Sequence, residues 1–409
     1  MKNKVISNTA MLYLMTFAKM IFPLLTLPYL TRVLSVDGYA VVSYVKSAMT
    51  YMQIFIDFGF LLSATKEIVL AHDDKEKISE ILSKTIAAKA ILAILGLGLV
   101  VISIIVIPIL RENWLYTILS YITVALTLLL PDFLFRGIEK MHIITIRFII
   151  MRGIATALTF ICIKSDASLL LIPILDIIGT IIAIIWTWHE IGNMGFKLIK
   201  SSWSSHIQAI KTSFVYFVSD ASTTAFSALN TLLIGIYLSK IEISFWSVSL
   251  QLISAVQSMY SPINNGIYPH MVRNKNIKFV LKVFSILFPI VVAGTAFCYC
   301  AGETIIIIVS GEKYREAVNV FNWLLPLLII SFPSMLFGWP CLGAIDKQKQ
   351  VTFSTMVSAL IQVILLIVLI VTNSFTLINI ALARVVSEAM LLLIRVYFCF
   401  KYRCEFNIN

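Results

Sequence analysis

Long apolar segments dominate this chain and constrain its fold more than any other feature. Hydropathy divides the sequence into twelve segments of about twenty residues or more, the length that an α-helix needs to cross a bilayer. The sequence therefore predicts an all-α integral membrane protein with about twelve transmembrane helices. The segments are 9–34, 39–64, 86–109, 114–136, 143–163, 169–190, 213–238, 244–270, 279–301, 317–342, 352–372 and 377–400.

Composition leaves no room for a soluble domain. Only 13% of the 409 residues are charged and 59% are hydrophobic, whereas soluble domains carry about 25% charged residues. The first apolar run continues to about Leu34, too far for the hydrophobic region of a signal peptide. It is predicted to be a retained first helix.

The basic residues indicate the orientation in the membrane. If the N-terminus is cytoplasmic, most Lys and Arg residues flank the cytoplasmic helix ends. Because cytoplasmic loops carry the Lys and Arg excess, both termini are predicted to be cytoplasmic. Topology then accounts for the net charge of +11, and no nucleic-acid partner is predicted. The opposite ends carry only Arg32, Arg111, Lys164, Lys240, Lys313 and Arg315.

The link 191–212 divides the predicted helices into two sets of six. Within it, residues 196–203 resemble an interfacial helix on the cytoplasmic face. The first helix of each set ends in Leu-Ser, at Leu34-Ser35 and Leu238-Ser239, which suggests an internal duplication. The predicted organisation is an N-terminal six-helix lobe at 1–200, a cytoplasmic linker at 201–212 and a C-terminal six-helix lobe at 213–409.

Proline placement favours a transporter over an inert anchor. All eleven prolines lie within or at the end of a predicted helix, where each removes a backbone donor and favours a kink. Broken helices are tolerated at membrane depth where the freed backbone groups face protein or a watery cavity. The sequence therefore predicts bent helices around a cavity.

Polar stripes mark predicted helices one, two, seven and eight. Their polar residues recur at alternating steps of three and four, which places each set on one helix face. Because unsatisfied polar groups facing lipid are costly, the four stripes are predicted to line a hydrated central cavity. The alternative is that single hydroxyls join packed helices. The cavity-lining candidates are Thr16, Thr26, Thr50, Gln53, Asp57, Tyr216, Thr223, Ser227, Asn230, Gln251, Ser254, Ser258 and Asn265.

Two lysines on these stripes are the main binding candidates. Lys19 lies about ten residues into the first helix, roughly 15 Å deep, and Lys46 lies within the second. A lysine at mid-membrane depth costs roughly 3 kcal/mol on insertion scales and indicates a functional role. Both are predicted to bind an anion. The alternative for Lys19 is a structural ion pair with Asp57 or Asp220.

Other charged residues in the apolar segments suggest ion pairs or ion coupling. Asp132 and Arg136 are four residues apart and are predicted to form a structural pair. Arg384 and Glu388 have the same spacing and suit either a structural pair or a coupling site. Carboxylates within the membrane can bind a proton or Na⁺ during transport. The candidates for ion coupling are Asp220, Asp176, Arg384 and Glu388.

Motifs for nucleotides and metals are missing from the sequence. No Walker A loop is present, so the chain is not expected to hydrolyse ATP. The five histidines lack ligand spacing, and the six cysteines lie mostly in apolar segments without zinc or disulfide spacing. No cofactor or metal is predicted beyond a possible coupling proton or Na⁺.

Several short motifs together resemble a known family. They are Leu27–Leu34 with Asp37-Gly38-Tyr39, then Asp57–Phe60, Pro131–Met141 and Ile267–Pro269. In this order the motifs resemble bacterial O-antigen and polysaccharide flippases of the multidrug/oligosaccharidyl-lipid/polysaccharide exporter superfamily. The resemblance extends over essentially the whole chain.

This resemblance implies two six-helix lobes, with helices one, two, seven and eight lining a central cavity. It also implies transport of undecaprenyl-diphosphate-linked oligosaccharide from the cytoplasmic to the periplasmic leaflet by alternating access. Cationic cavity residues of the family receive the diphosphate, and Lys19 and Lys46 match them, although relatives often use Arg. The implied location is the bacterial inner membrane, with membrane lipids and other glycan-assembly proteins as partners.

Two other functions remain as alternatives. A multidrug exporter for organic cations, from the same superfamily, predicts an acidic and aromatic cavity rather than two deep lysines. An integral-membrane glycan polymerase or glycosyltransferase predicts a large periplasmic loop that carries catalytic residues. The longest outer link, 302–316, is too short for a catalytic domain.

Overall fold

The computed structural model confirms the all-α prediction. It describes residues 2–71 and 74–407, and for residues 2–9, 219–227 and 265 it describes the backbone alone. These residues form helices joined by turns and short 3₁₀ segments, with one isolated β-bridge between Asn276 and Asn407. The helices are α1 Lys2–Val33, α2 Val36–Asp57, α3 Phe60–Leu70, α4 Lys75–Val106, α5 Pro108–Glu112, α6 Trp114–Leu126, α7 Asp132–Gly137, α8 Met141–Cys162, α9 Leu171–Asn193, α10 Trp203–Tyr237, α11 Lys240–Ser258, α12 Tyr260–Asn274, α13 Ile277–Cys300, α14 Gly302–Ser310, α15 Ala317–Leu324, α16 Pro326–Leu336, α17 Gln348–Val371 and α18 Leu377–Lys401.

Nine helical segments within the described part of the chain are long and apolar enough to cross a membrane. Their outer surfaces carry large apolar side chains: Ile94, Ile105 and Val106 on α4 are 73%, 65% and 70% exposed. Such a surface suits lipid rather than water. The polar-stripe helices α2, α11 and α12 are not among the nine. The nine are Ala10–Val33, Lys75–Val106, Trp114–Gly137, Met141–Cys162, Asp166–Asn193, Ile277–Cys300, Ala317–Ile345, Gln348–Val371 and Leu377–Lys401.

The contacts divide the chain into two compact units, Met1–Ile236 and Tyr237–Asn409, here called the first and second units. Helix α10 begins at Trp203 and so includes most of the segment predicted as the linker 201–212. The division into lobes at 1–200 and 213–409 stays a prediction.

The interfacial helix predicted at 196–203 is wrong, because residues 196–202 are not helical. Phe196 is buried in the core of the first unit. The backbone N–H groups of Lys197 and Ile199 donate to the hydroxyls of Ser79 and Ser83, at 3.2 and 2.8 Å. Because α4 satisfies these donors, the segment lies extended along α4 instead of closing helical turns.

The repeated Leu-Ser pattern has a common structural basis in the two units. Ser35 caps α2 by accepting a hydrogen bond from the N–H of Gly38, and Ser239 caps α11 by accepting from the N–H of Glu242. In both places one long helix ends and the capping serine starts the next. The duplicated pattern therefore encodes the same helix–turn–helix connection twice.

A left-handed break interrupts the second predicted helix, which the hydropathy had extended over 39–64. Phe58 and Gly59 have φ values of +41° and +72°, so α2 ends at Asp57 and α3 begins at Phe60. A Cβ added at Gly59 would lie 2.5 Å from Cβ of Tyr216 on α10. Glycine is therefore needed for both the backbone conformation and the close approach of α10.

We expect Gly59→Ala to lower the melting temperature of the purified protein clearly. A left-handed alanine costs about 1–2 kcal/mol, and the added methyl group displaces α10 backbone in addition. The matched control is Gly98→Ala on α4, where an added Cβ meets no described atom within 4 Å and helix propensity favours alanine. Equal melting temperatures for the two variants would contradict this description of the break.

In the second unit, a buried arginine supports a break in the predicted helix 317–342. Gly338 has a non-helical ψ of −114° within the π-helical turn Phe337–Leu342, so carbonyl groups at the end of α16 need other donors. Arg395 of α18 donates from Nη1 to the carbonyl oxygen of Ser334 at 2.8 Å and from Nε to Ser354 Oγ at 3.3 Å. Arg395, which the orientation argument counts with the cytoplasmic flanking charges, is buried against these helices, at 8% exposed.

We expect Arg395→Met to destabilise the protein by about 2–3 kcal/mol, because a hydrogen bond to a charged group contributes about 1.5–3 kcal/mol and the lost donors leave buried acceptors unpaired. Thermal unfolding followed by intrinsic fluorescence measures the loss. Arg403→Met, at an exposed position, is the control and should leave the melting temperature unchanged.

Candidate functional site: a cationic cluster in the first unit

Lys19 lies among charged side chains from two other helices of the first unit. Its side chain on α1 is exposed, and Nζ lies 5.6 Å from the ring centroid of Phe148 on α8. It interacts electrostatically with Asp132 and Arg136 of α7 and with two arginines of α8. The predicted mid-membrane lysine is therefore part of a larger charged group.

Asp132 forms its ion pair across helices. Nη2 of Arg147 on α8 lies 2.8 Å from Oδ1 of Asp132, so the predicted pair between Asp132 and Arg136 is wrong. The Nε of Arg136 is buried without a hydrogen-bond partner. Arg147 is 5% exposed, and its Nε and Nη1 also have no hydrogen-bond partner. Buried cationic donors are thus left available.

A second ion pair lies close to Lys46. Nη1 of Arg152 on α8 donates to Oδ1 of Asp176 on α9 at 3.0 Å. Lys46 of α2, whose side chain is exposed, interacts electrostatically with both members of this pair. The same Arg152 also repels Lys19, so both predicted lysines lie within electrostatic range of one arginine.

These seven residues are called the cationic cluster below. Five basic and two acidic side chains leave an excess of three positive charges, within helices that are otherwise apolar. An unbalanced positive charge at membrane depth is unfavourable unless water or an anion compensates it. The members are Lys19, Lys46, Asp132, Arg136, Arg147, Arg152 and Asp176.

Close packing around α8 brings the cluster together. The Thr145 hydroxyl donates to the carbonyl oxygen of Met11 on α1 at 2.8 Å. A Cβ added at Gly179 of α9 would lie 2.7 Å from the carbonyl oxygen of Met151, which precedes Arg152. Tyr29, from the first family-like motif, donates its hydroxyl to the carbonyl oxygens of Phe160 and Ile163, at 2.8 and 2.6 Å. Helix α8 is thus held between α1 and α9.

The predicted stripe residues Gln53 and Asp57 belong to a separate polar network. Asp57 pairs with Lys89 of α4 at 2.7 Å, so its partner is not Lys19, as one alternative had suggested. Nε2 of Gln53 donates to Asp57 Oδ2 at 2.8 Å and to the Thr127 hydroxyl at 3.0 Å. Lys89, which the sequence had placed among the flanking charges, is 5% exposed.

Three stripe threonines satisfy their hydroxyls on their own helices. Thr16 donates to the carbonyl oxygen of Leu12 at 2.9 Å, Thr26 to that of Phe22 at 3.1 Å, and Thr50 to that of Lys46 at 3.0 Å. A hydroxyl bonded in this way needs no partner across the helix interface. These threonines therefore do not by themselves require a hydrated cavity. The support for such a cavity comes mainly from the charged residues.

The other predicted cavity residues have varied environments. Asn230 is buried, whereas Ser254 is exposed, and the Ser258 hydroxyl donates to the carbonyl oxygen of Ala255 at 2.7 Å. Tyr216 and Gln251 are partly buried. The side chains of Asp220, Thr223, Ser227 and Asn265 lie outside the described residues.

The second unit contains its own buried charge pair. Arg384 and Glu388 of α18 approach to 3.4 Å, with side chains only 14% and 10% exposed. Nearby on α18, the Ser387 hydroxyl donates to Oε1 of Gln362 on α17 at 2.7 Å. The four-residue spacing therefore does form the predicted pair, and its proposed part in ion coupling remains a prediction.

Known proteins of the same fold are membrane transporters. A multidrug-resistance MATE family transporter of the MOP superfamily, in an inward-facing conformation, superposes with a TM-score of 0.71 at 12% identity, covering 96% of this chain and 94% of that one. The lipid II flippase MurJ, in an inward closed conformation, superposes with a TM-score of 0.62 at 14% identity, covering 92% and 87%. Identities this low show the fold alone.

Relatives found by sequence narrow the class of transporter. Two proteins named "Putative O-antigen transporter" match: one from Shigella dysenteriae at 27% identity over 81% of this chain and 85% of the relative, and one from Escherichia coli K12 at 25% over 90% of each. The chain is a multi-pass transporter of the bacterial inner membrane rather than an enzyme. Residues 5–275 match the family described as "Polysaccharide biosynthesis protein". The chain belongs to that family.

Proposed function

We propose that this chain is a flippase for an undecaprenyl-diphosphate-linked oligosaccharide, such as an O-antigen repeat unit. It moves this lipid from the cytoplasmic to the periplasmic leaflet by alternating access. The cationic cluster is the observation that carries the proposal, because an excess of three positive charges in apolar helices requires an anionic ligand or water. The family match and the O-antigen transporter relatives support the same substrate class.

The chemistry of the cluster suits a diphosphate. Lysine offers a compact charge, and arginine offers a planar fork of donors that matches phosphate oxygens. Arg147 has unpartnered donors at Nε and Nη1, while Asp132 and Asp176 hold two arginines in place. Lys19 and Lys46, which are exposed, can move onto the ligand without breaking a buried contact.

The proposed architecture has twelve spans in two six-helix lobes around a central cavity, with both termini cytoplasmic. The polyprenyl tail stays in lipid while the head group occupies the cavity. A cytoplasm-negative potential favours outward movement of an anion by about 2.3 kcal/mol per charge per 100 mV. Asp176, Asp220, Arg384 and Glu388 remain the candidates for coupling a proton or Na⁺, and glycan-assembly proteins are the proposed partners.

An exporter of organic cations is disfavoured by the same charges. A cluster with three excess positive charges repels a cationic drug, whereas Asp132 and Asp176 are already paired with arginines. Drug-sensitivity assays on cells that overproduce the chain distinguish the two functions. We expect no change in resistance to organic cations.

The direct test is genetic replacement. In host cells that lack the chain, we expect surface glycan to disappear and the lipid-linked glycan to accumulate, and the chain supplied on a plasmid should reverse both effects. Unchanged surface glycan and no accumulation in the deletion strain would overturn the proposed function.

A further inference from the structure

A polar pocket lies in the first unit, between α3, α4 and the start of α10. Its volume is about 250 Å³, below the roughly 300–1,000 Å³ of sites for drug-sized ligands, so it suits a single small ring. None of its lining residues belongs to the cationic cluster. The lining residues are Glu67, Glu80, Lys84, Ser205, Gln208, Ala209 and Thr212.

The pocket presents both donors and acceptors around a fixed ion pair. Nζ of Lys84 lies 2.6 Å from Oε2 of Glu67, with side chains 21% and 33% exposed. The Thr212 hydroxyl donates to the carbonyl oxygen of Gln208 at 2.9 Å, which leaves its lone pairs and the Gln208 amide to face a ligand. Two carboxylates and one ammonium give a net charge of −1.

This chemistry selects against a second anion and suits a sugar. Each sugar hydroxyl both donates and accepts a hydrogen bond, so it can donate to Glu80 and accept from Lys84 or Gln208. The net negative charge repels phosphates and acidic sugars. The same negative charge attracts the ammonium group of an amino sugar.

Helix α3 connects this pocket to the cationic cluster. A Cβ added at Gly137 of α7 would lie 2.5 Å from Cγ2 of Ile68 on α3, and the Thr65 hydroxyl donates to the carbonyl oxygen of Phe133 at 3.2 Å. Glu67 precedes Ile68 and Arg136 precedes Gly137. The close contact between Gly137 and Ile68 is therefore next in the chain to a pocket residue, Glu67, and to a cluster residue, Arg136.

We propose that this pocket is a glycan subsite that binds one neutral or amino sugar of the oligosaccharide while the diphosphate lies at the cationic cluster. The inference rests on the proposed flippase function and adds a site for the sugar. The helix ends that line the pocket lie on the predicted cytoplasmic side, where the lipid-linked glycan is loaded.

Binding to purified protein in nanodiscs tests the subsite with two probes: the lipid-linked glycan extracted from the host, and undecaprenyl diphosphate without sugar. We expect the wild type to bind the glycosylated lipid about tenfold more tightly, since one charge-assisted hydrogen bond accounts for such a factor. The double variant Glu80→Gln/Gln208→Ala should lose that factor and bind the bare lipid as the wild type does. Glu76→Gln, at an exposed position of the same helix outside the pocket, is the matched control.

The outcomes separate the two proposals. If wild type and double variant discriminate equally between the probes, or if the wild type does not discriminate, the subsite is wrong and the flippase function stands. If the wild type fails to bind bare undecaprenyl diphosphate, the proposed diphosphate site is wrong, and the subsite with it. The same follows if Lys19→Ala binds this lipid as tightly as the wild type does. Gln208→Ala alone, at an exposed position, gives the same comparison if the double variant does not fold.

Discussion

Replacing Lys19 and Lys46 together with alanine is expected to reduce glycan export at least a hundredfold. Neither side chain belongs to the buried core, so their removal takes away mainly charge. If each lysine contributes about 1.5 kcal/mol through charge-assisted hydrogen bonds, the two together correspond to a factor of about one hundred. The measurement is surface glycan per molecule of membrane-inserted protein, in cells without other copies of the chain.

The control for this variant is Lys197→Ala/Lys200→Ala, which removes two exposed charges outside the cluster and should export normally. Lys19→Arg/Lys46→Arg should retain most export, because arginine also binds phosphate. Near-normal export by the double alanine variant, at normal protein levels, would exclude both lysines as the diphosphate site.

The second large effect is expected at Arg147, for both stability and export. Arg147→Ala leaves Asp132 without its partner, and breaking a buried pair costs about 3–5 kcal/mol. Because the Asp132 side chain is 33% exposed, we expect a loss toward the lower end of that range. Thermal unfolding measures the stability, and the surface-glycan assay measures export.

A double variant separates these two effects. Arg147→Ala/Asp132→Ala removes both charges, so stability should recover relative to Arg147→Ala, whereas export should stay low because the arginine donors are missing. Recovery of export together with stability would show that Arg147 acts only as a structural partner of Asp132.

Hydropathy predicted the membrane helices well where the sequence is uniformly apolar. The segments 143–163, 352–372 and 377–400 correspond closely to α8, α17 and α18. The breaks within these segments were harder to predict, because an average of hydropathy over many residues does not register a single residue with left-handed backbone. Phe58 and Gly59 end α2 inside a segment that reads as continuous.

The candidate site was predicted in part. Depth along α1 and α2 identified Lys19 and Lys46, and the structure places both within one charged group. Arg147 and Arg152 were missed as site residues, because loop counting assigned them to the cytoplasmic flank although both lie within α8. Their signal was present in the sequence, since both are charged residues inside the apolar segment 143–163.

Spacing within one helix also predicted wrong partners. Asp132 and Arg136 have the four-residue spacing of a helical pair, but α7 is only six residues long. Asp132 pairs instead with Arg147 of α8. Arg384 and Glu388 have the same spacing within the long helix α18 and do approach each other. A partner from another helix cannot be read from spacing, because it depends on packing between elements.

Protection of single cysteines from a water-soluble thiol reagent tests the cationic cluster most directly. Lys19→Cys and Lys46→Cys are placed one at a time in a chain whose six native cysteines are serine, and are labelled with and without undecaprenyl diphosphate. The cluster predicts that both positions react from water and that the diphosphate lipid slows the reaction, whereas the uncharged alcohol undecaprenol does not. Positions that never react, or rates that the diphosphate leaves unchanged, would contradict an anion-binding site there.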